Sequence, residues 1–269
     1  MLIESANRLN VRVIVLDSAD SPAKQISSEH HIDGSFRDPD AIRQLARRTD
    51  LLTVEIEHVD VDVLEEIEGE GITQVNPSSA TLRIIQDKFL QKEHLTKHGS
   101  PVVQSIRFEN FEHAETRLGL PFMLKARKQA YDGRGNFVIK RKSDCLRASA
   151  YDEDQLYAER WMSFRCELAV MVIKSCYNRV DSKKCVRQEH CIPFPAVRTV
   201  HEDSVCKLVF APAWDITAEV ATRAQELAVA AVSTFTGKGV FGVEMFLMHN
   251  GKWSPSPDDY PTFCTEHDR

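Results

Sequence analysis

"KARKQAYDGRGNF", residues 125–137, joins two stretches that read as strands, "LPFML" (Leu120–Leu124) before it and "NFVIK" (Asn136–Lys140) after it. A hairpin needs only a couple of Gly, Asn or Asp residues to turn. This connection carries Lys125, Arg127, Lys128 and Arg134 together with Tyr131, Asp132 and the triplet Gly133–Arg134–Gly135. It is longer and more cationic than a turn requires. Two close glycines let backbone N–H groups point at a ligand, and such concavities bind anions. Lys125, at the end of an apolar strand, can reach the phosphates of a nucleotide, and Arg134 can fork onto a phosphate or carboxylate. A solvated hairpin tip is the plainer reading of the same residues. No G-x-x-x-x-G-K-[ST] stretch occurs, which excludes a P-loop.

The flanks of this hairpin belong to a run of strands: Val102–Arg107, Leu120–Ala126, Gly135–Lys140, Leu156–Trp161, Glu167–Lys174 and Cys206–Ala211. One long helix, "AEVATRAQELAVAAVSTF" (Ala218–Phe235), precedes a last strand, Gly239–Met248. Antiparallel strands beside a few helices make an α+β domain. Its entrance is "DKFLQKEHLTKHGSP", an amphipathic helix with Asp87 at its cap and Gly99 and Pro101 at its stop. Before Asp87 the pattern is different. "VRVIVLD" (Val11–Asp17), "LLTVEIE" (Leu51–Glu57) and "ITQVNP" (Ile72–Pro77) read as strands, separated by helices at Asp38–Thr49 and Val61–Gly71. Strands alternating with helices imply a parallel α/β sheet. The boundary falls between residues 86 and 87, giving domains 1–86 and 87–269.

The 269 residues carry a net charge of −6, with 42% hydrophobic and 28% charged residues. That is an ordinary globular composition, and an acidic balance argues against nucleic acid as the main partner. Seven cysteines, odd in number and without a C-x-x-C pair, fit reduced thiols in the cytoplasm. The N-terminus has no apolar core of a signal peptide, and no apolar run approaches the ~20 residues of a membrane span.

Three acids stand out. Glu159 and Glu167 end one strand and start the next in "YAERWMSFRCELAV"; they could accept from ribose hydroxyls or serve as edge-strand charges that discourage aggregation. Glu244 lies in "VFGVEMFLM", where an ionised carboxylate needs an ion pair or a metal, and Mg²⁺ suits it beside phosphate-binding candidates. Cys176, Cys185, Cys191 and His190 match no standard zinc spacing. His30, His31 and His201 read as surface residues.

Together the segments "SPAKQISS", "GSF", "VEIEHVD", "QDKFLQKEHL", "AYDGRGNF", "YAERWMSFRCELAV", "EDSVCKLVFAPA" and "GKGVFGVEMFL" resemble the ATP-grasp enzyme carboxyaminoimidazole ribonucleotide synthetase, the ATP-using part of fungal phosphoribosylaminoimidazole carboxylase. The resemblance runs in order from Leu2 to Leu247. It implies ATP and Mg²⁺ as cofactors, aminoimidazole ribonucleotide and bicarbonate as small-molecule substrates in purine synthesis, and a homodimer. It assigns Lys88, Lys125, Gly133 and Gly135 to the nucleotide phosphates and Glu159, Trp161 and Glu167 to adenine and ribose. Tyr131, Asp132 and Arg134 would face the imidazole ribonucleotide and the chemistry, Glu57 and His58 would lie near that substrate, and Glu244 would bind Mg²⁺.

Three segments depart from the family pattern. The resemblance begins at the helix Leu2–Leu9, after the strand and "GGGQLGR"-like turn with which the family opens, so the parallel sheet is expected without its first strand. The stretch 175–195 reads as inserted sequence. The tail 249–269 replaces the family's "NEIAPRPHNSGH"-like segment with its second metal carboxylate and its bicarbonate-site Arg and His. These departures imply slow turnover or none. The alternatives are a non-catalytic nucleotide-binding remnant and an ATP-grasp ligase with another acceptor.

Overall fold

The computed structural model describes residues 2–27, 29–128, 135–181, 184–202, 205–249 and 262–263. The chain divides into two compact units, Met1–Arg83 and Ile84–Arg269.

The first unit runs α1 (Leu2–Arg8), β1 (Leu16–Asp17), α2 (Pro22–Gln25), β2 (Ile32–Asp33), α3 (Pro39–Ala46), β3 (Leu51–Leu52), α4 (Val61–Glu70) and β4 (Gln74–Val75), with α5 (Ser79–Ile85) following. Asp38 caps α3 by accepting from Asp40 and Ala41, and Asp60 caps α4 by accepting from Val63. Gly71 ends α4 at φ 66°, a left-handed conformation that suits glycine. Ile42, Ala46, Leu52, Leu64, Ile67 and Leu82 form the core. The strands are parallel, as the alternating pattern requires, but they are shorter than their apolar runs. They pair as two separate two-stranded sheets, β1 with β2 and β3 with β4. A strand exists only where a neighbour pairs with it. Among the described residues Val11–Ile14 pair with no strand, and the Val15 carbonyl, accepting from the Ile32 N–H at 3.0 Å, only opens the β1–β2 pairing, so the expected strand narrows to Leu16–Asp17.

The second unit begins with α6 (Lys88–Lys97), whose cap Asp87 accepts from the backbone of Phe89 and Leu90. It continues through β5 (Ser105–Arg107), α7 (Phe111–Leu118), β6 (Phe122–Ala126), β7 (Asn136–Ile139), two 3₁₀ turns and β8 (Leu156–Arg160). These strands make an antiparallel four-stranded sheet ordered β5-β8-β6-β7. Strand alternation sends Phe122, Leu124 and Ala158 into a core with Ala114 and Leu118 of α7. It sends Met123, Lys125, Tyr157 and Glu159 to the other face, under α6, where the Phe89 and Tyr157 rings lie 5.8 Å apart.

A second antiparallel sheet holds β9 (Phe164–Asp181), β10 (Lys184–Pro193), β11 (Val197–Glu202), β12 (Val205–Phe210), β13 (Gly239–Met248) and β14 (Thr262–Phe263), in the order β12-β11-β9-β13-β14 with β10 also on β9. α8 (Ala218–Ser233) lies on one face. Its Ala224, Leu227, Ala228 and Val232 pack with Leu168, Val170, Val172, Phe241 and Met245. The stretch expected to read as inserted sequence forms the far part of the β9–β10 hairpin, in unbroken register from Lys184 opposite Asp181 to Pro193 opposite Val172. Lys174, 2% exposed, ties this hairpin to the C-terminus of α8 by donating to the Phe235 carbonyl. Among the described residues no helix is long and apolar enough to cross a membrane.

Candidate functional site

A cleft of about 200 Å³ opens in the second unit, lined by Met123, Glu159, Arg160, Trp161, Met162, Ser163, Phe164 and Phe246. Its wall comes from the end of β8, from the short link to β9, and from β13. Phe164 and Phe246 stack at 4.1 Å between ring centroids. Trp161 is 40% exposed. An open cleft with an aromatic side and a carboxylate beneath it suits a flat heterocycle carrying hydroxyls.

Beneath the cleft sits a buried charge cluster. Lys125 Nζ donates to Glu159 Oε1 at 3.0 Å, and Lys92 Nζ lies 2.6 Å from Glu159 Oε2. Ser105 Oγ donates to Oε2 at 3.2 Å. Burial alone would raise the Glu159 carboxyl, but the Lys125 and Lys92 ammonium groups override it and hold it down to about 2. An edge-strand role is therefore excluded for Glu159, which lies on β8 between β5 and β6 and is 2% exposed.

The local sequence explains this placement. Strand alternation puts Lys125 and Glu159 on one face, and the helical repeat puts Lys88, Lys92 and Leu95 on the buried side of α6. Arg127 locks the two elements together. It forks onto Asp87 with contacts of 3.1 and 2.7 Å and stacks over Phe89 at 5.4 Å, while its carbonyl accepts from the Lys88 N–H. Ala126 N–H donates to the Gly135 carbonyl at 2.8 Å, and Gly135 adopts φ 85°. The two ends of the glycine-rich connection are thus held together at the head of α6. Tyr131, Asp132, Gly133 and Arg134 themselves lie outside the described residues.

On the second sheet Glu167 is buried, opposite Thr199 on β11 and Phe246 on β13. Glu244 stands opposite Ala169, so both carboxylates share the face turned away from α8, as diagonal neighbours ~7–8 Å apart. Glu244 is half-buried rather than enclosed, because its strand alternates core residues with this second face. Partial burial, then the Glu244 and Glu167 charges, raise the Cys206 thiol. His201, expected at the surface, is 7% exposed, and its Nδ1 is hydrogen-bonded to Glu167 Oε2. The reason is strand parity: Thr199 and His201 alternate with Val200 and share the Glu167 side. His31 is likewise half-buried, with Nδ1 accepting from the Val15 N–H at 3.1 Å. Lys92, His201 and the stacked pair Phe164 and Phe246 are among the residues that the sequence reading did not place at the site. Glu57 and His58 lie in the first unit, in the loop before α4, with His58 Nε2 3.9 Å from Glu57 Oε1. Among the described residues no group of three or more His, Cys, Asp or Glu is gathered for a metal.

The ATP-grasp domain model matches residues 89–254, and the ribonucleotide synthetase preATP-grasp domain model matches residues 1–86. The chain belongs to the ATP-grasp family. Among its ATP-grasp relatives, phosphoribosylaminoimidazole carboxylase of Ogataea methanolica is 46% identical over 93% of this chain and 45% of its own length. Carboxyaminoimidazole ribonucleotide synthase of Aspergillus clavatus, solved with ATP, superposes with a TM-score of 0.85 at 45% identity, covering 98% of this chain and 65% of that one. The same enzyme solved with ADP and 5-aminoimidazole ribonucleotide gives 0.84 at 44% identity, covering 99% and 66%. This ATP-grasp chain spans about half the length of the curated relatives it matches. The parallel-sheet unit followed by an antiparallel ATP-grasp unit is the architecture that the sequence pattern predicts.

Proposed function

We propose that this chain carries out the ATP-dependent carboxylation of aminoimidazole ribonucleotide with bicarbonate, in purine biosynthesis. The observation that carries the reading is the buried Lys92–Glu159–Lys125 cluster directly beneath an aromatic cleft, in a chain whose relatives are solved with ATP, ADP and the imidazole ribonucleotide. In the balanced reaction a bicarbonate oxygen bonds to the γ-phosphorus of ATP and the bond to ADP breaks. The amine nitrogen of the ribonucleotide then bonds to the carboxyl carbon, releasing phosphate and a proton.

Phosphoryl transfer is mostly positioning plus charge neutralisation, and the chain's residues divide that work. Lys88 and Lys125 would take the phosphates. Trp161 and the backbone at Arg160 would hold the adenine, with Glu159 and Glu167 set for hydroxyl donors of the ribose; His201 keeps Glu167 in place. Tyr131, Asp132 and Arg134 would meet the acceptor, and Gly133 and Gly135 would offer backbone N–H groups to the polyphosphate. Glu244 is half-buried on the face shared with Glu167, and an oxygen-only donor set suits Mg²⁺, which commonly takes one or two carboxylates plus substrate phosphates. Glu244 would hold such an ion where it would supply positive charge to the polyphosphate.

The reading carries with it a homodimer in the cytoplasm, checked by sedimentation velocity and fractionation. The test of the function is ADP formation by the purified chain with each substrate omitted in turn. ADP that requires both bicarbonate and the imidazole ribonucleotide supports the proposal; ADP formed equally without the ribonucleotide contradicts it.

A further inference from the structure

The last turn of α6 and its cap carry two histidines four residues apart, His94 and His98, neighbours on one face of the helix. Their ring centroids lie 4.3 Å apart with the planes inclined at 40°, and His94 also stacks on Phe235 at 4.8 Å. Hydrogen bonds fix the tautomer of each neutral ring. Thr234 Oγ1 donates its single hydrogen to the Ala231 carbonyl at 2.7 Å, so it can only accept from His94 Nε2, 2.9 Å away. His94 Nε2 therefore carries the proton, and Nδ1 keeps its lone pair. The His94 carbonyl lies 2.8 Å from His98 Nδ1. A carbonyl accepts only, so His98 carries its proton on Nδ1 and keeps its lone pair on Nε2.

We propose that His94 and His98 together bind a borderline divalent transition ion such as Zn²⁺ or Cu²⁺. Two histidines at this spacing on one helix face are an arrangement that zinc sites use. A ligating imidazole characteristically donates its other N–H to a carbonyl or similar acceptor, which fixes the ring and raises its basicity. Both rings do so here. A four-coordinate zinc ion holds its nitrogens at about 2.0–2.1 Å, and hence roughly 3.3 Å from each other. Ring lone pairs lie in the ring planes, so flat-stacked rings could not share an ion, whereas planes inclined at 40° converge. His98 is exposed, so the pair opens to solvent and water can fill the remaining positions of the ion. Imidazole suits zinc and copper, while Mg²⁺ takes oxygen ligands. This ion is therefore distinct in kind from the one proposed for Glu244, and its assignment does not depend on the nucleotide reading of the cleft.

The experiment adds Cu²⁺ or Zn²⁺ to the full 269-residue chain at neutral pH, with Mg²⁺ in excess to occupy oxygen sites. Cu²⁺ is paramagnetic, and a substoichiometric amount should broaden the NMR ring signals of His94 and His98 together, before those of any other histidine. Zn²⁺ is then titrated calorimetrically into wild type, His98→Phe and Thr234→Val. His98→Phe keeps an aromatic ring against His94 but removes one ligand at an exposed position, where the fold does not depend on it. It should weaken Zn²⁺ about a hundredfold, because the second imidazole binds intramolecularly. Thr234→Val leaves both rings and removes the acceptor of the His94 N–H, which should weaken Zn²⁺ on the order of tenfold. These losses, with joint broadening of the two rings, support the site. Unchanged Zn²⁺ affinity in either variant, or another histidine broadening first, would make the pair a packing stack and overturn the assignment.

Discussion

Replacing Glu159 by Gln should cost the second unit stability at neutral pH and remove part of its sensitivity to acid. The carboxyl is 2% exposed and contacts two ammonium groups. Taking one partner from a buried pair costs about 3–5 kcal/mol, because the remaining charge is left uncompensated. That is a large share of a typical net stability of ~5–15 kcal/mol. The pH dependence has a definite sign. The folded carboxyl sits at about 2, against 4.5 in the unfolded chain, so the unfolded chain binds the proton first. The stabilisation is complete above the unfolded value and is lost as pH falls from about 4.5 toward about 2. A displacement from 4.5 to about 2 is worth about 3 kcal/mol. Urea unfolding followed by tryptophan fluorescence reads the right unit, since Trp161, Trp214 and Trp253 all fall within residues 84–269. Wild type should lose about 2–3 kcal/mol more than Glu159→Gln between pH 5.5 and pH 2.5, where most but not all of the carboxylate is protonated. Equal stability of the two proteins at pH 7, or parallel pH profiles, would refute the reasoning.

Lys125→Ala should weaken ATP about tenfold or more, the value of one lost charged hydrogen bond; unchanged calorimetric affinity would remove Lys125 from the phosphate site. Burial, with the nearby His98 charge, lowers His94 below the usual 6.5, while its ring stacks on Phe235 at 4.8 Å and its Nε2 meets Thr234 Oγ1 at 2.9 Å. A neutral ring is thus favoured in the fold, and its contribution is present above 6.5 and lost as pH falls below it. An NMR titration should place the His94 midpoint below 6.5; a midpoint above would contradict the packing argument. Lys174→Met leaves the carbonyls of Ser233 and Phe235 without this donor and Glu189 without its partner. Urea unfolding should register a loss of ~1–3 kcal/mol, and no loss would mean that the hairpin is not anchored through Lys174.

What the sequence revealed and what it hid follow from the range of each interaction. Asp87 before an apolar-periodic run announces a helix cap through contacts two and three residues away, and α6 begins where that signal puts it. Lys125 was legible because a lysine closing an apolar strand is conspicuous. Lys92 was not, because its carboxylate partner lies on another element, 67 residues along the chain, outside any local pattern in "DKFLQKEHL". The spacing Lys88, Lys92, Leu95 puts all three on one face and was the available signal. His201 depended on parity with Thr199 and on a carboxylate 34 residues away, which no local pattern encodes. The first unit shows the opposite failure. Val11, Val13 and Val15 alternate as a strand should, yet pairing is a non-local property, and only Leu16–Asp17 finds a parallel neighbour in β2.

The central claim is that bicarbonate attacks ATP at this site and the imidazole ribonucleotide captures the product. Its most direct test is transfer of oxygen. The wild-type chain is incubated with ATP, Mg²⁺, aminoimidazole ribonucleotide and ¹⁸O-labelled bicarbonate, for long enough to accumulate product even at slow turnover, and the inorganic phosphate is examined by ³¹P NMR. The account predicts one bicarbonate-derived ¹⁸O in each phosphate released, with release depending on the ribonucleotide. Phosphate bearing only solvent oxygen would mean that water attacks ATP instead, and would contradict it.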